Sequence, residues 1–239
     1  MTLTINDIAD VINISVSNPA ESGYDVFVGL EHYDIGEPVI TRYGSTKMLT
    51  TACKKFSAGD ILLARRNVYL RRAGIVEFDG LTSGDSIVIR VKTNLSIEGV
   101  DSSAISRLLP FILNTNAFWD FANTNSDGTM SKRLSPQMLL SYDFELPPVA
   151  QQRPLADKLW AAYKLKASKL KLIEAIDEMV KSQFIEMFSN KGYPKKTLSS
   201  FAEITTGSTP SKKEPKYWEN GENPWVSAQD MKEKYVYTH

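Results

Sequence analysis

Four arginines fall within eight residues, Arg65, Arg66, Arg71 and Arg72, together with Asn67 and Tyr69 and with no acid among them. A guanidinium can grip a phosphate or read guanine through two parallel hydrogen bonds, and an asparagine amide can read adenine. The chemistry open to this stretch is therefore recognition of a polyanion, not the making or breaking of bonds. If the chain stayed extended through it, side chains would alternate. Arg65 and Arg71 would then lie on the face opposite Arg66 and Arg72, and half of the cluster would meet a ligand. Two further stretches are polar and basic: Arg42, Tyr43, Ser45, Thr46 and Lys47, and the loop Thr129, Ser131, Lys132 and Arg133. The competing reading of all three is solvated hairpin and loop surface, which the same composition suits.

Catalytic constellations are missing. There is no Walker-type phosphate loop. A methyltransferase needs a cofactor-binding glycine motif and an Asn/Asp-Pro-Pro-aromatic motif, and Pro147-Pro148 follows Leu146 instead. The nearest approach to a nuclease pattern, Glu214-Pro215-Lys216, stands in a turn-rich loop. One cysteine, Cys53, and two histidines, His32 and His239, leave little for zinc, so no metal or cofactor is expected. Cys53 reads as a buried thiol, His32 as a satisfied core side chain, and Trp119 and Trp160 as packing residues. Lys plus Arg equals Asp plus Glu at 28 each, so net charge argues neither for nor against nucleic acid and only local clusters can. With 42% hydrophobic and 23% charged residues, no signal peptide and no apolar run long enough to span a bilayer, the chain reads as ordinary globular protein of the cytoplasm, away from membranes.

What must position the arginines is a β region over residues 56–92. A turn at Phe56 to Asp60 precedes the apolar run Ile61-Leu62-Leu63-Ala64; Ala73 to Phe78 and Ser86 to Val91 read as further strands, with a turn at Asp79-Gly80. Such spacing predicts a twisted antiparallel sheet or half-barrel. Upstream, residues 2–12 read as a short strand or turn leading into a helical turn, and Val26 to Leu30 as a buried strand. Downstream, residues 103–123 are helical in pattern, Ser135-Pro136 opens a short helix, and Phe144-Glu145-Leu146 is strand-like. The class is α+β, and 239 residues suffice for one to two domains.

A long helix follows. Pro147-Pro148 blocks helix upstream, and from Leu155 an apolar stripe runs through Leu159, Tyr163, Ala167, Leu170, Ile173, Ile176, Val180, Phe184 and Met187 at the helical period. No Gly or Pro interrupts residues 155–190, which allows about 54 Å of helix at 1.5 Å per residue. Gly192 supplies the stop. A second stripe, Leu165, Leu172 and Met179, keeps seven-residue spacing. Two seams imply two packing partners: an intramolecular bundle, or a coiled-coil spacer that pairs with a helix of its own kind through Leu159, Leu170, Ile173, Ile176, Val180 and Phe184.

After the helix the pattern begins again. Thr197 to Thr205 echoes Thr4 to Ile12 position by position, and Pro224 to Asp230 falls where Val26 to His32 would repeat. Four local patterns, in this order, carry a family resemblance. They are Asp7-Ile8-Ala9-Asp10; Gly59-Asp60-Ile61-Leu62 through Arg65-Arg66 to Ser83-Gly84-Asp85; Leu146-Pro147-Pro148 with Gln152-Arg153; and Gly207-Ser208-Thr209-Pro210 with Tyr217-Trp218 and Pro224-Trp225-Val226. Together they resemble the DNA-specificity (S, HsdS) subunits of type I restriction–modification systems. The resemblance implies two target-recognition domains alternating with two long helices, and a non-catalytic subunit that directs separate methyltransferase (M) and restriction (R) subunits to duplex DNA. A full S subunit is far longer, so the expectation is a half or truncated subunit. It comprises a recognition domain over 1–148, a spacer and dimerisation helix over 149–190, and the start of a second recognition domain over 191–239. Two copies would pair to recover the full geometry. The alternative is a coiled-coil interaction or regulatory protein that does not touch DNA.

Overall fold

The computed structural model describes residues 2–128, 131–189, 191–211, 213–219 and 226. Two compact units emerge, Met1–Ile176 and Asp177–His239. The first contains the strands β1 (Thr2–Thr4), β2 (Ala9–Ile12), β3 (Ser15–Val16), β4 (Val26–Val28), β5 (Gly44–Ser45), β6 (Cys53–Phe56), β7 (Ile61–Ala64), β8 (Ala73–Ile75), β9 (Gly80–Thr82), β10 (Ser86–Val91) and β11 (Asp143–Glu145). Its helices are α1 (Ile5–Ile8), α2 (Ser102–Ile112), α3 (Asn116–Thr124) and α4 (Pro136–Leu140), and α5 (Val149–Phe188) begins in it.

All four residues of β7 are buried. Leu62 and Ala64 enter one core with Val28, Phe56, Val76 and Val88. Ile61 and Leu63 enter another with Ile87, Ile89, Ile105, Leu109, Phe118 and Trp119. An unbroken apolar run is what a strand covered on both faces requires, and β7 is such a strand. The unit is consequently layered. An antiparallel sheet of order β2-β10-β7-β8 lies between the helices on one side and a sheet of order β3-β6-β9-β4-β5 on the other. The antiparallel sheet expected from the strand spacing is thus present, divided between two larger sheets, and β4 and β9 run parallel within the second of them. A small β1-β11 pair brings the N-terminus beside the segment that leads into α5.

Caps decide where the helices begin. Asp101 accepts from the Ser103 and Ala104 amides, Thr115 from Phe118, and Ser135 from Met138, with Pro136 in the first turn as its sequence position predicts. The helical stretch expected over 103–123 divides in two, because Thr115 caps a new helix while the Asn114 side-chain Nδ2 donates back to Pro110 O at 2.8 Å and across to Ala73 O at 3.0 Å. The strand expected over 73–78 stops at Ile75. Beyond it the Val76 amide donates to Asp60 O, and Gly59, at φ +90°, donates to Val76 O. Asp60 is buried, and its two carboxylate oxygens take the Arg90 guanidinium at 2.7 Å each while one of them also accepts from the Ser57 amide. The readings of Cys53 and Trp119 hold, since both are buried; His32 is satisfied, its Nδ1 accepting from the Gly29 amide at 2.9 Å, but it is half-buried outside the cores.

Helix α5 starts directly after Pro148 and continues through Pro154. Its first turns are fastened to the domain by a buried glutamine. Gln152 Oε1 accepts from the Asp101 amide at 2.8 Å, and its Nε2 donates to Gly99 O at 2.7 Å and to Pro147 O at 3.0 Å. Around it Ala156 is buried, Trp160 Nε1 donates to Arg107 O, Arg153 pairs with Asp101, and Arg107 pairs with Asp157. Leu159 is half-buried against the core beneath the helices.

In the second unit, α5 carries exposed apolar side chains to its end, where the Phe184 and Phe188 rings lie tilted at 4.8 Å and Phe188 meets Tyr193 at 6.2 Å. Gly192, at φ +72°, turns the chain as expected. A short 3₁₀ turn, Leu198–Ser200, follows Thr197 much as α1 follows Thr4. The strands of the expected echo do not follow it among the described residues, and of 224–230 only Val226 is described.

Replacing Gln152 with Leu leaves the Asp101 N–H and the Gly99 and Pro147 carbonyls without their partner. The expected cost is about 1–3 kcal/mol, since the three groups lose their partner but are only partly shielded from water. Urea unfolding of the two proteins checks this, and equal midpoints would show that α5 is held by packing alone.

Candidate nucleic-acid interface

The register of the two larger sheets sends several connections to one end of the first unit. Ala64, at the end of β7, lies opposite Ser86 at the start of β10; β8 starts opposite Leu63; and β9 ends at Thr82, opposite Lys54. The loops 65–72 and 83–85 therefore emerge together. Lys54 Nζ donates to Ser86 O at 2.9 Å and Tyr33 hydrogen-bonds Ser86 Oγ at 2.8 Å, closing the two sheets on each other beneath them. Burial pushes the Tyr33 phenol up to about 12, so it stays neutral at physiological pH and acts only as a hydrogen-bonding post.

Extension does not continue through the arginine stretch. Asn67 turns left-handed at φ +54°, Val68–Leu70 forms a 3₁₀ turn, and Arg71 turns left-handed again at φ +51°. These are the two non-glycine residues with positive φ among those described. Such backbone costs on the order of 1 kcal/mol or more each and persists only where its surroundings enforce it. Buried Val68 anchors the turn. The simple alternation of faces is thereby broken. Arg66 and Tyr69 are exposed, while Arg65 and Arg72 are half-buried. Arg72 donates to Leu30 O at 3.0 Å and to Arg66 O at 3.2 Å, and desolvation lowers its pKa. Its work is to hold the loop.

The third basic stretch is brought onto the first. Asp127 and Arg133 exchange backbone hydrogen bonds, closing a turn at Gly128, whose φ of +101° and approach to Ser131 O suit glycine. That turn lies along the arginine loop: the Asn67 amide donates to Lys132 O at 2.8 Å, and the Leu134 amide donates to Arg65 O at 2.9 Å. Side chains follow the backbone. Arg66 Nε donates to Ser131 Oγ at 3.0 Å and Ser131 Oγ donates to Asn67 Oδ1 at 3.2 Å. Asp85 stands between Arg66 and Arg133 at 3.5 Å from each. Helix α3 supports both stretches, since Asn116 near its start accepts from Arg71 Nη1 at 2.7 Å and Asn123 O near its end accepts from Lys132 Nζ at 2.9 Å. Thr129 lies outside the described residues.

The second basic stretch divides. Arg42 pairs with Asp34 at 2.8 Å and donates to Tyr33 O. The same segment meets the arginine loop, because Gly36 N donates to Arg71 O and Leu30 O accepts from Arg72. Lys47 is elsewhere: its neighbour Thr46 is buried, bonded to Asp25 O and Tyr24 O at the opposite end of β4. Tyr43 packs edge-on against Phe78. Sequence reasoning gave no role at this site to Asp85, Asn116 or Asn123. Only Asp85 left a visible signal, a lone acid after the turn residues Ser83-Gly84. Of the helix residues expected to pair, Leu170, Ile173 and Ile176 are exposed in the first unit and Val180 and Phe184 in the second.

The assembled surface offers cations, amides, a hydroxyl and one carboxylate, a set suited to binding. Among the described residues no group of His, Cys, Asp and Glu is placed to hold a metal ion, and no helix is long and apolar enough to cross a membrane.

No family model matches the chain. Solved structures do. The HsdS subunit from Thermoanaerobacter tengcongensis aligns at a TM-score of 0.51 and 15% identity, over 82% of this chain and 51% of that one. A chain solved in work on complex assembly and conformational transition of the type I R-M system aligns at 0.52 and 15%, over 89% and 57%. The type I restriction–modification S subunit from M. genitalium aligns at 0.50 and 11%, over 80% and 46%. The chain spans about half the length of each, and at these identities the likeness is one of fold. In its mixed α+β domain, its antiparallel sheets and its long helix, this protein has the fold of about half of a type I specificity subunit.

Proposed function

We propose that the protein is a DNA-specificity subunit of a type I restriction–modification system, acting as a self-paired half subunit. Residues 1–148 are its target-recognition domain, 149–190 its spacer and 191–239 the start of a second recognition domain. Duplex DNA binds at the end of the sheets where Arg66, Asn67, Tyr69, Arg71, Lys132 and Arg133 converge. The observation that carries this reading is the backbone seam of Asn67 to Lys132 and Leu134 to Arg65, which gathers cations from two distant stretches onto one surface. The likeness of fold to chains solved as S subunits supports it. The chain supplies recognition and no catalysis, and it directs separate M subunits, and through them an R subunit, to the bound site.

Self-pairing follows from the helix. Leu170, Ile173 and Ile176 in the first unit, and Val180 and Phe184 in the second, are apolar and exposed among the described residues, and burying each against a partner helix contributes roughly 1.5–3 kcal/mol. A two-fold pair of identical readers sees the same half-site twice, so the target is an interrupted palindrome.

Duplex affinity should fall steeply as salt is raised, by about 0.9 in log–log slope for each phosphate neutralised. At fixed salt, Arg66→Ala and Arg133→Ala should each cost about 1–3 kcal/mol of binding, while Lys47→Ala changes nothing. Arg72→Ala should lower stability first. Fluorescence anisotropy across a salt series reads the binding changes, and urea unfolding reads the stability of Arg72→Ala. A salt-independent signal, or equal losses at Lys47 and Arg66, would favour an interaction protein that does not recognise DNA.

Sedimentation at micromolar concentration should show a dimer, and Ile176→Glu combined with Val180→Glu a folded monomer that has lost tight site binding. A wild-type monomer, with or without DNA, would place the pairing on a separate subunit and remove the palindrome.

A further inference from the structure

We infer that Asp85, set between Arg66 and Arg133, makes this trio a reader of a guanine–cytosine pair and keeps it from acting as a general phosphate clamp. The inference rests on the reading that this end of the domain binds duplex DNA and adds what it recognises there.

An acid is the wrong residue for a surface that only grips phosphates, since a carboxylate repels them. Yet Asp85 is fixed in place. Its backbone carbonyl accepts from the Arg65 amide at 2.9 Å, and the turn that carries it is closed by Ser86 N donating to Ser83 O. Its contacts are not those of a closed structural pair. Each guanidinium stands 3.5 Å away, whereas Asp60 and Arg90 in the same domain meet at 2.7 Å twice. Ionic hydrogen bonds that complete themselves are shorter than 3.5 Å. All three side chains keep solvent access, at 44%, 29% and 50% for Arg66, Asp85 and Arg133. Arg66 is further oriented by Ser131 through its Nε.

The arrangement is a donor fork, an acceptor and a second donor fork in a row. In the major groove, guanine presents two acceptors, O6 and N7, which one guanidinium can take together, and its partner cytosine presents the N4 amine, which a carboxylate can accept. A guanidinium beside a carboxylate matches that pair of edges. A phosphate satisfies the arginines but leaves the carboxylate facing like charge.

The experiment uses the full chain. Duplexes are selected from a randomised library by the wild type and by Asp85→Asn, and the binding of selected and random duplexes is then measured across salt. The wild type should enrich a motif with an invariant G·C position. Asp85→Asn should lose that position and bind random duplex several-fold tighter, with a salt slope steeper by about one, so that its preference for the selected site falls about tenfold. Arg66→Lys, which keeps the charge and loses the fork, should lose the same position without the gain on random duplex. If Asp85→Asn keeps the motif and the preference, or weakens both duplexes equally with a lowered unfolding temperature, Asp85 is structural and the inference is wrong. Absence of any salt-dependent duplex binding by the wild type overturns both this inference and the DNA reading beneath it.

Discussion

The burial of β7 on both faces is the constraint from which the rest of the domain follows. Leu62 and Ala64 need a sheet over them while Ile61 and Leu63 need helices, so the central strand forces a layered domain. A strand so enclosed can become polar only where it leaves the layers, and it does so at Arg65. The basic stretch is thus placed at the end of the sheet by the apolar stretch before it. Chain order and strand register then bring the 83–85 turn to the same end.

Beyond Arg65 local preference no longer decides the structure. Two left-handed non-glycine residues bracket the 3₁₀ turn, and what enforces them is tertiary: buried Val68, the seam to residues 132–134, and the Arg71–Asn116 bond. Backbone strain of this kind gathers where a surface must be held in one shape for a ligand. Helix α3 serves as the rigid support, holding Arg71 near one end and Lys132 near the other. Arg72 turns inward to bind carbonyls. Four arginines close in sequence thereby take different tasks.

Much of this was legible in the sequence. The apolar run at 61–64, the strand at 86–91, the Ser135-Pro136 cap and the helix opening after Pro147-Pro148 all follow from short-range rules that the structure obeys. The candidate binding residues were also named by type alone. Their arrangement was not legible, because it depends on contacts between distant positions: Arg66 meets Ser131 across 65 residues of chain, and Arg66 and Arg133 meet at Asp85. The alternation rule failed at Asn67 since it presumes extension; asparagine is a residue type that tolerates left-handed backbone, but nothing in the run announces it at Arg71. Lys47 was grouped with Arg42 by proximity in sequence, yet the β4–β5 pairing carries it to the other end of the sheet. The stripe on α5 was read correctly as apolar, although Leu159 turns out to spend part of its surface on its own domain.

The central claim is that the seamed end of the sheets is where DNA sits. Hydrogen–deuterium exchange of the full chain, with and without a selected duplex, addresses it without altering a residue. The account predicts slowed exchange of the amides of 65–72 and 131–134 when duplex is present, reversed by raising the salt. Exchange unchanged there, or slowed only around Tyr24, Asp25 and Lys47 at the opposite end, would contradict it.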